Sequence, residues 1–351
     1  MIIKKFTALF QSCFGLSISG SGAADSPSLN LLDKSSSCSS SIIRLSDGRY
    51  LAYQERGVPK NEARYKVIIV HGFGSSKNMS FLLSQEMINE LGIYMLLYDR
   101  AGYGESNPNP KRSTKTEASD IQELSEQLQL GPKFYLIGIS FGVYPLWSCL
   151  RRIPKSLAGV AMVAPMINYN WPSLPNELVK DDCRKGMTMW GFLAARYIPW
   201  LVHWWLTQKI FPSSNVLDRN RKFFCDKDLE VLKNTPTFKL LGRESLKQEG
   251  VFDSLRNDFM AAFGKWDFDP LELSDPFPRN EIGSSLHIWH GRLDKVVPVE
   301  LQRFVSGKLP WIRYHEVPDK GHLIIYDDAV CEAIIRSLLL GEDNPFYRPK
   351  T

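Results

Sequence analysis

The sequence predicts an α/β fold: a mostly parallel sheet with helices on both faces. Three observations carry that prediction. Short, almost wholly apolar runs recur along the chain, amphipathic stretches of helical period separate them, and a hairpin pattern opens the series. Runs that are apolar at nearly every position suit parallel strands covered on both sides, because a strand with one wet face would alternate.

The elements follow in order. IIRLSDGRYLAY (42–53) alternates around Asp47-Gly48 and reads as a β-hairpin. Strands are expected at KVIIV (66–70), YMLLY (94–98), KFYLIG (133–138), LAGVAMVA (157–164), LHIWH (286–290) and IRYHEV (312–317). Helical periodicity is clearest at 79–92, 115–130, 298–309 and 327–340.

The 120 residues from Met166 to Ser285 break this rhythm, with helical patterns, no convincing strand and six of the nine tryptophans. Within them, MTMWGFLAARYIPWLVHWWL (187–206) is long enough by hydropathy for a membrane span. Arg196, Pro199 and His203 interrupt it, and a single span would separate flanking strands that belong to one sheet. An inserted helical cap is the expectation, with aromatics that pack it to the core and line an apolar pocket. The chain therefore divides into an N-terminal segment (1–41), a first core part (42–165), the cap (166–285) and a second core part (286–351).

Composition narrows the functional classes. At 351 residues, 44% hydrophobic and 23% charged, the chain is an ordinary globular one. A formal charge of +5 without any basic block gives no footprint for nucleic acid. Cysteines 13, 38, 149, 183, 225 and 331 lie far apart, without the pairing that a zinc site or disulfide scaffold needs. Residues 1–41 start basic, then run apolar, then small and serine-rich. A secretory signal, a plastid transit peptide and a disordered tail in a cytoplasmic protein stand side by side as readings.

The chemistry centres on Gly138-Ile139-Ser140-Phe141-Gly142, a G-x-S-x-G elbow between a strand and a helix. Glycines flank the serine because side chains there would collide with neighbouring backbone in so sharp a turn. A serine hydroxyl needs a base, and six histidines are available. His322, in PDKGH after the last strand, can reach the elbow from the sheet's carboxyl edge. His71 organises its own loop; His287, His290 and His315 lie on strands and read as packed; His203 belongs to the cap. Asp294, in HGRLDKVVP after strand 286–290, is the acid that orients the base, with Asp267 and Asp269 as less well placed alternatives. The backbone N–H groups of Phe73, in His71-Gly72-Phe73-Gly74, and of Phe141 are the expected oxyanion donors.

With HGFG, DRAGYGES (99–106), GISFG, GRLDKVVP and DKGH in this order, the chain resembles the α/β-hydrolase superfamily from about 42 to 345. The wording around LRRIP, KWDFDP, VELQRF and WIRYHEVPDKGH is similar to a group of plant members. DRAGYGES also resembles a loop of the epoxide-hydrolase and haloalkane-dehalogenase branch, where an aspartate occupies the elbow; Ser140 departs from that pattern. Asp99, Gly102 and Gly104 read as structural. The resemblance implies a cap inserted after the sixth strand and no particular substrate.

Two functions are carried forward. The first is a serine hydrolase that cleaves small-molecule carboxylic esters, apolar or lipid-like at the acyl group, without metal or organic cofactor. The second is a small-molecule receptor of the same fold that hydrolyses slowly or not at all. Peripheral contact with a membrane through the cap is a further expectation.

Overall fold

In the computed structural model, which describes residues 41–208, 223–234, 243–277 and 283–342, the apolar runs form one eight-stranded sheet. The strands are β1 (Ser41–Arg44), β2 (Tyr50–Gly57), β3 (Tyr65–Val70), β4 (Ile93–Tyr98), β5 (Phe134–Ile139), β6 (Leu157–Val163), β7 (Leu286–Gly291) and β8 (Ile312–Val317). Their spatial order is β1-β2-β4-β3-β5-β6-β7-β8. The opening hairpin is antiparallel and joins β4 antiparallel; every pair from β4 onward is parallel. The N-terminal segment with its three readings lies outside the described residues.

Each parallel strand feeds two cores, as period-2 side-chain alternation requires. Along β3, Ile68 and Val70 join one apolar cluster while Val67 and Ile69 join the other. Helices α1 (Gln85–Leu91), α2 (Thr114–Gln127) and α3 (Val143–Arg152) lie between the early strands. Ile121, Leu124, Leu146 and Leu150 from α2 and α3 close the first cluster. Met87, Ile88 and Leu91 from α1 close the second.

The expected helix over 79–92 begins only at Gln85, where Ser84 caps it by accepting the Met87 N–H. Upstream, Met79 and Phe81 are pulled into the core, and Arg56 Nη1 takes the Met79 carbonyl at 3.0 Å. Tertiary packing overrides helical periodicity there.

Between β6 and β7 the described residues hold helices and no strand. These are α4 (Asn176–Val179), α5 (Cys183–Tyr197), α6 (Pro199–Thr207), α7 (Asp226–Asn234), α8 (Arg243–Leu246) and α9 (Val251–Phe263). The long apolar run is split in two, because Pro199 ends α5 at Tyr197 and starts α6. Among the described residues no helix is long and apolar enough to cross a membrane. Trp171 of this segment meets Trp147 of α3 edge-to-face at 5.9 Å between centroids, and Trp266 meets Trp171 at a tilt, 5.7 Å away. Helices α10 (Val299–Lys308) and α11 (Asp328–Leu340) complete the two layers, one on each face.

A second, charged junction joins the segment to the core. Asp258 of α9 is wholly buried and bonds Arg100 Nη1 and Nη2 at 2.7 Å each, with Arg112 Nη2 at 3.1 Å. The hydroxyls of Tyr103 and Tyr144 also donate to it, at 2.5 and 2.8 Å. Burial opposes the Asp258 charge, but the two guanidiniums and these hydrogen bonds win and hold its carboxyl well below the usual range.

Candidate active site

The loops that leave the carboxyl ends of β3, β5, β7 and β8 meet at one edge of the sheet, the edge where open parallel sheets assemble their sites. Ser140 follows β5 and adopts φ +53°, a left-handed conformation that a non-glycine residue takes only under constraint. The constraint is tight packing on both sides. A Cβ at Gly142 would fall 2.2 Å from the Val70 carbonyl oxygen, and one at Gly138 would fall 2.7 Å from that of Gly142. Only glycine lets β5 turn this sharply against β3 and enter α3 at once.

His322 and Asp294 come to the same point from loops after β8 and β7. His322 Nε2 lies 3.0 Å from Ser140 Oγ, and its Nδ1 lies 2.8 Å from Asp294 Oδ2. Asp294 is itself fixed, since its Oδ1 accepts the N–H groups of Val296 and Val297 at 2.7 and 2.9 Å. That network assigns the Nδ1 proton of His322 to Asp294 and leaves Nε2 as the acceptor for the serine hydroxyl. Burial disfavours the His322 cation, but the charge and hydrogen bond of Asp294, helped by Asp228, raise its pKa above the ordinary 6.5. Burial likewise works against the Asp294 carboxylate; the His322 and His290 rings and the hydrogen bonds outweigh it and keep its pKa low.

No other histidine ring is hydrogen-bonded to Ser140 among the described residues. His71 Nδ1 donates to the Gly72 carbonyl at 2.8 Å, and its Nε2 accepts the Arg100 N–H at 3.1 Å. Burial and the Arg100 charge push its pKa well below normal. His290 donates from Nε2 to the Val297 carbonyl at 3.1 Å and lies 3.4 Å from Asp294 Oδ2, so it backs the acid without reaching Ser140. His287 and His315 stack 5.0 Å apart inside the sheet layer. His203 packs on Phe252 in the helical segment. The alternative acids are spoken for as well: Asp267 pairs with Arg152, and Asp269 caps Leu271 while accepting the Ser173 N–H. Asp99 bonds Lys77, and the carboxylate lies where a Gly104 side chain would stand.

Phe73 and Phe141 lie side by side, with ring centroids 4.8 Å apart. The register of the neighbouring strands explains this, because Val70 at the end of β3 pairs with Gly138 near the end of β5. Phe263 and Phe259 of α9 extend the row, at 5.5 and 4.9 Å between successive rings. An aromatic wall therefore starts at the residue after Ser140 and runs into the helical segment.

One residue at this site has no signature of its own in the sequence. Asp228, in the DKDLE stretch of α7, accepts the backbone N–H groups of His322 and Leu323 at 3.1 and 2.8 Å. The glycine before His322 is the sequence sign that something approaches closely there. A Cβ at Gly321 would fall 2.1 Å from the Asp228 carboxylate.

The sequence profile of the alpha/beta hydrolase family matches residues 67–333. A plant protein named "Probable lysophospholipase BODYGUARD 2", from Arabidopsis thaliana, is 25% identical over 276 residues, which is 75% of this chain and 56% of that protein. The chain thus spans just over half the length of this relative. Among solved structures, an esterase from Thermogutta terrifontis superposes with a TM-score of 0.55 at 20% identity, covering 86% of this chain and 99% of the esterase. An enol-lactonase from Burkholderia xenovorans LB400 gives a TM-score of 0.60 at 14% identity, over 85% and 99% of the two chains. At these identities the structural likeness speaks for the fold alone.

Proposed function

Because the chain belongs to the alpha/beta hydrolase family, we propose that it is a serine hydrolase that cleaves carboxylic esters through an acyl-Ser140 intermediate. The observation that carries this reading is the unbroken chain of hydrogen bonds from Ser140 through His322 to Asp294. In the first step Ser140 Oγ attacks the ester carbonyl while His322 Nε2 takes its proton. The backbone N–H groups of Phe73 and Phe141 hold the resulting oxyanion. Collapse expels the alcohol, which receives the proton from His322. Water then attacks the acyl group, loses a proton to the same nitrogen, and releases the acid and the free serine.

The aromatic row from Phe141 to Phe259 supports an apolar acyl group, with the helices described between β6 and β7 as a lid over it. The lysophospholipase name of the plant relative supports the same, lipid-like class. Steady-state hydrolysis of p-nitrophenyl esters from acetyl to long acyl tests the reading. Repeated turnover that rises with chain length is expected. Single or very slow turnover by folded protein would instead favour the receptor of the same fold.

The pH dependence has a definite sign. Only neutral His322 can accept the serine proton, and its pKa is held above 6.5 in the folded protein. The acidic limb of kcat/KM therefore lies above pH 6.5, and activity is lost as pH falls through it. A kcat/KM profile in constant-ionic-strength buffers measures the limb directly.

The outer side of α5 and α6 supports peripheral contact with an anionic lipid surface. Trp190, Leu193, Tyr197, Trp200 and Trp204 recur at three- and four-residue spacing and are all exposed, Tyr197 by 68% and Trp200 by 70%. From Cys183 to Gln208 there is no acidic residue, while Arg184, Lys185 and Arg196 are basic. Tryptophan and tyrosine suit the headgroup boundary, and the cations suit anionic lipid. In flotation with phosphatidylcholine vesicles containing phosphatidylglycerol, the protein is expected to rise with the lipid. Trp200→Ala is expected to weaken binding by about tenfold, the loss of one well-buried aromatic. A protein that stays wholly in the aqueous fraction would end the idea; a vesicle-independent dimer would assign the stripe to a second copy.

A further inference from the structure

We propose that Asp228 is a positioning residue for His322, so that the imidazole is aligned only while the helical segment is seated on the core. The inference rests on the reading of Ser140, His322 and Asp294 as a triad. It concerns what holds the base, a task that the core loops alone do not perform.

Asp228 is 2% exposed, and both of its oxygens are used. Oδ1 accepts the Leu323 N–H at 2.8 Å, and Oδ2 accepts the His322 N–H at 3.1 Å. Oδ2 also takes the Cys225 N–H and thiol, at 3.2 and 3.3 Å, which ties the carboxylate to the start of its own helix. Both oxygens of this buried carboxyl group are thus filled by N–H and thiol donors. Gly321 closes the fit from the other side, since any side chain there would overlap the carboxylate. Phe224 and Leu232 of the segment pack on Leu323 and seal the contact from water.

A helix-capping role accounts for the bond to Cys225. It does not account for a carboxylate that reaches across 94 residues to two successive N–H groups, one of them belonging to the base. Backbone held at His322 and Leu323 sets where the ring begins, and the Asp294 bond sets how it is turned. Displacement of a reacting group by 1 Å costs about 100-fold in rate. Seating of the segment and alignment of the base are therefore linked through this one carboxylate.

The experiment compares Asp228→Asn and Gly321→Ala with the wild-type chain on a soluble p-nitrophenyl ester. Reactive sites are counted with a fluorophosphonate, so that kcat refers to folded enzyme. Asp228→Asn is expected to lower kcat per site by about 10- to 100-fold with KM little changed. It should also move the acidic limb to lower pH. The titratable groups that bear on the His322 ring are Asp294, bonded to Nδ1, His290 on the far side of Asp294, and Asp228 at the His322 backbone N–H, and loss of one anion disfavours the imidazolium. Gly321→Ala pushes on the carboxylate but keeps its charge, so kcat should fall while the limb stays.

Wild-type kcat per site in both variants, or fewer sites with unchanged kcat and limb, would overturn the proposal and leave Asp228 a purely structural role. If Asp228→Asn gives no reactive sites, Gly321→Ala decides alone by the same kcat criterion. Failure of the triad reading is distinguishable, since Ser140→Ala would then retain the wild-type rate.

Discussion

In steady-state ester hydrolysis, Ser140→Ala is expected to lower kcat by about a millionfold, to leave KM close to wild type and to leave the protein folded. The size follows from what is removed. Without Oγ there is nothing for His322 Nε2 to deprotonate, and the remaining machinery can only orient water and stabilise an oxyanion. The folded state survives because alanine keeps the Cβ that already fits at φ +53°. Ser140→Gly adds a sharper test. It loses the nucleophile too, but relieves a backbone conformation that costs about 1–3 kcal/mol in a residue with a side chain. The glycine variant is thus expected to be inactive and at least as stable as the wild type in urea. Retained esterase activity in either variant would refute the covalent mechanism.

Asp258→Ala is expected to have the largest effect on stability, a loss of about 3–5 kcal/mol in the free energy of unfolding. Arg100 and Arg112 are buried with Asp258 and Glu117, two cations against two anions. Removing Asp258 leaves two guanidiniums facing one carboxylate in a site closed to water, and two tyrosine hydroxyls lose their acceptor. That loss is a large fraction of the roughly 5–15 kcal/mol that holds a protein folded. The wild-type contribution is present in full above the unfolded carboxyl pKa of about 3.9 and fades as pH falls through the lower folded value. Urea titration at pH 7 measures the difference; a change below 1 kcal/mol would mean that water or a shifted side chain compensates the arginines. Because Asp258 lies on α9 and Arg100 just after β4, the same variant should loosen the helical segment from the sheet.

The two kinds of residue differ in how far they could be read from sequence. All eight strands were legible, β1 and β2 from their alternation around Asp47-Gly48 and β3 to β8 as short, mostly apolar runs that need no partner to be recognised. The meeting of Ser140, His322 and Asp294 was legible because each sits in a short loop after a strand, where a few neighbours in sequence carry the signal. The helix over 79–92 was read too long, since Met79 and Phe81 answer to the core and to Arg56 and not to their helical spacing. Asp228 and Asp258 were not read at all. Each lies on an amphipathic helix whose charged positions look solvated, and each finds its partners 94 and 158 residues away. No local pattern encodes such a contact.

The order of the pieces along the chain has a consequence for a molecule still being made. Ser140 precedes His322 by 182 residues, with the whole helical segment between them. At roughly 5–20 residues per second, the ribosome delivers the proposed base about 10–35 s after the nucleophile. Through that interval the strained serine turn can form on β3 and β5, yet no partner exists to activate it. On the proposed mechanism, a growing chain is therefore silent toward esters until His322 has emerged and the sheet can close around it.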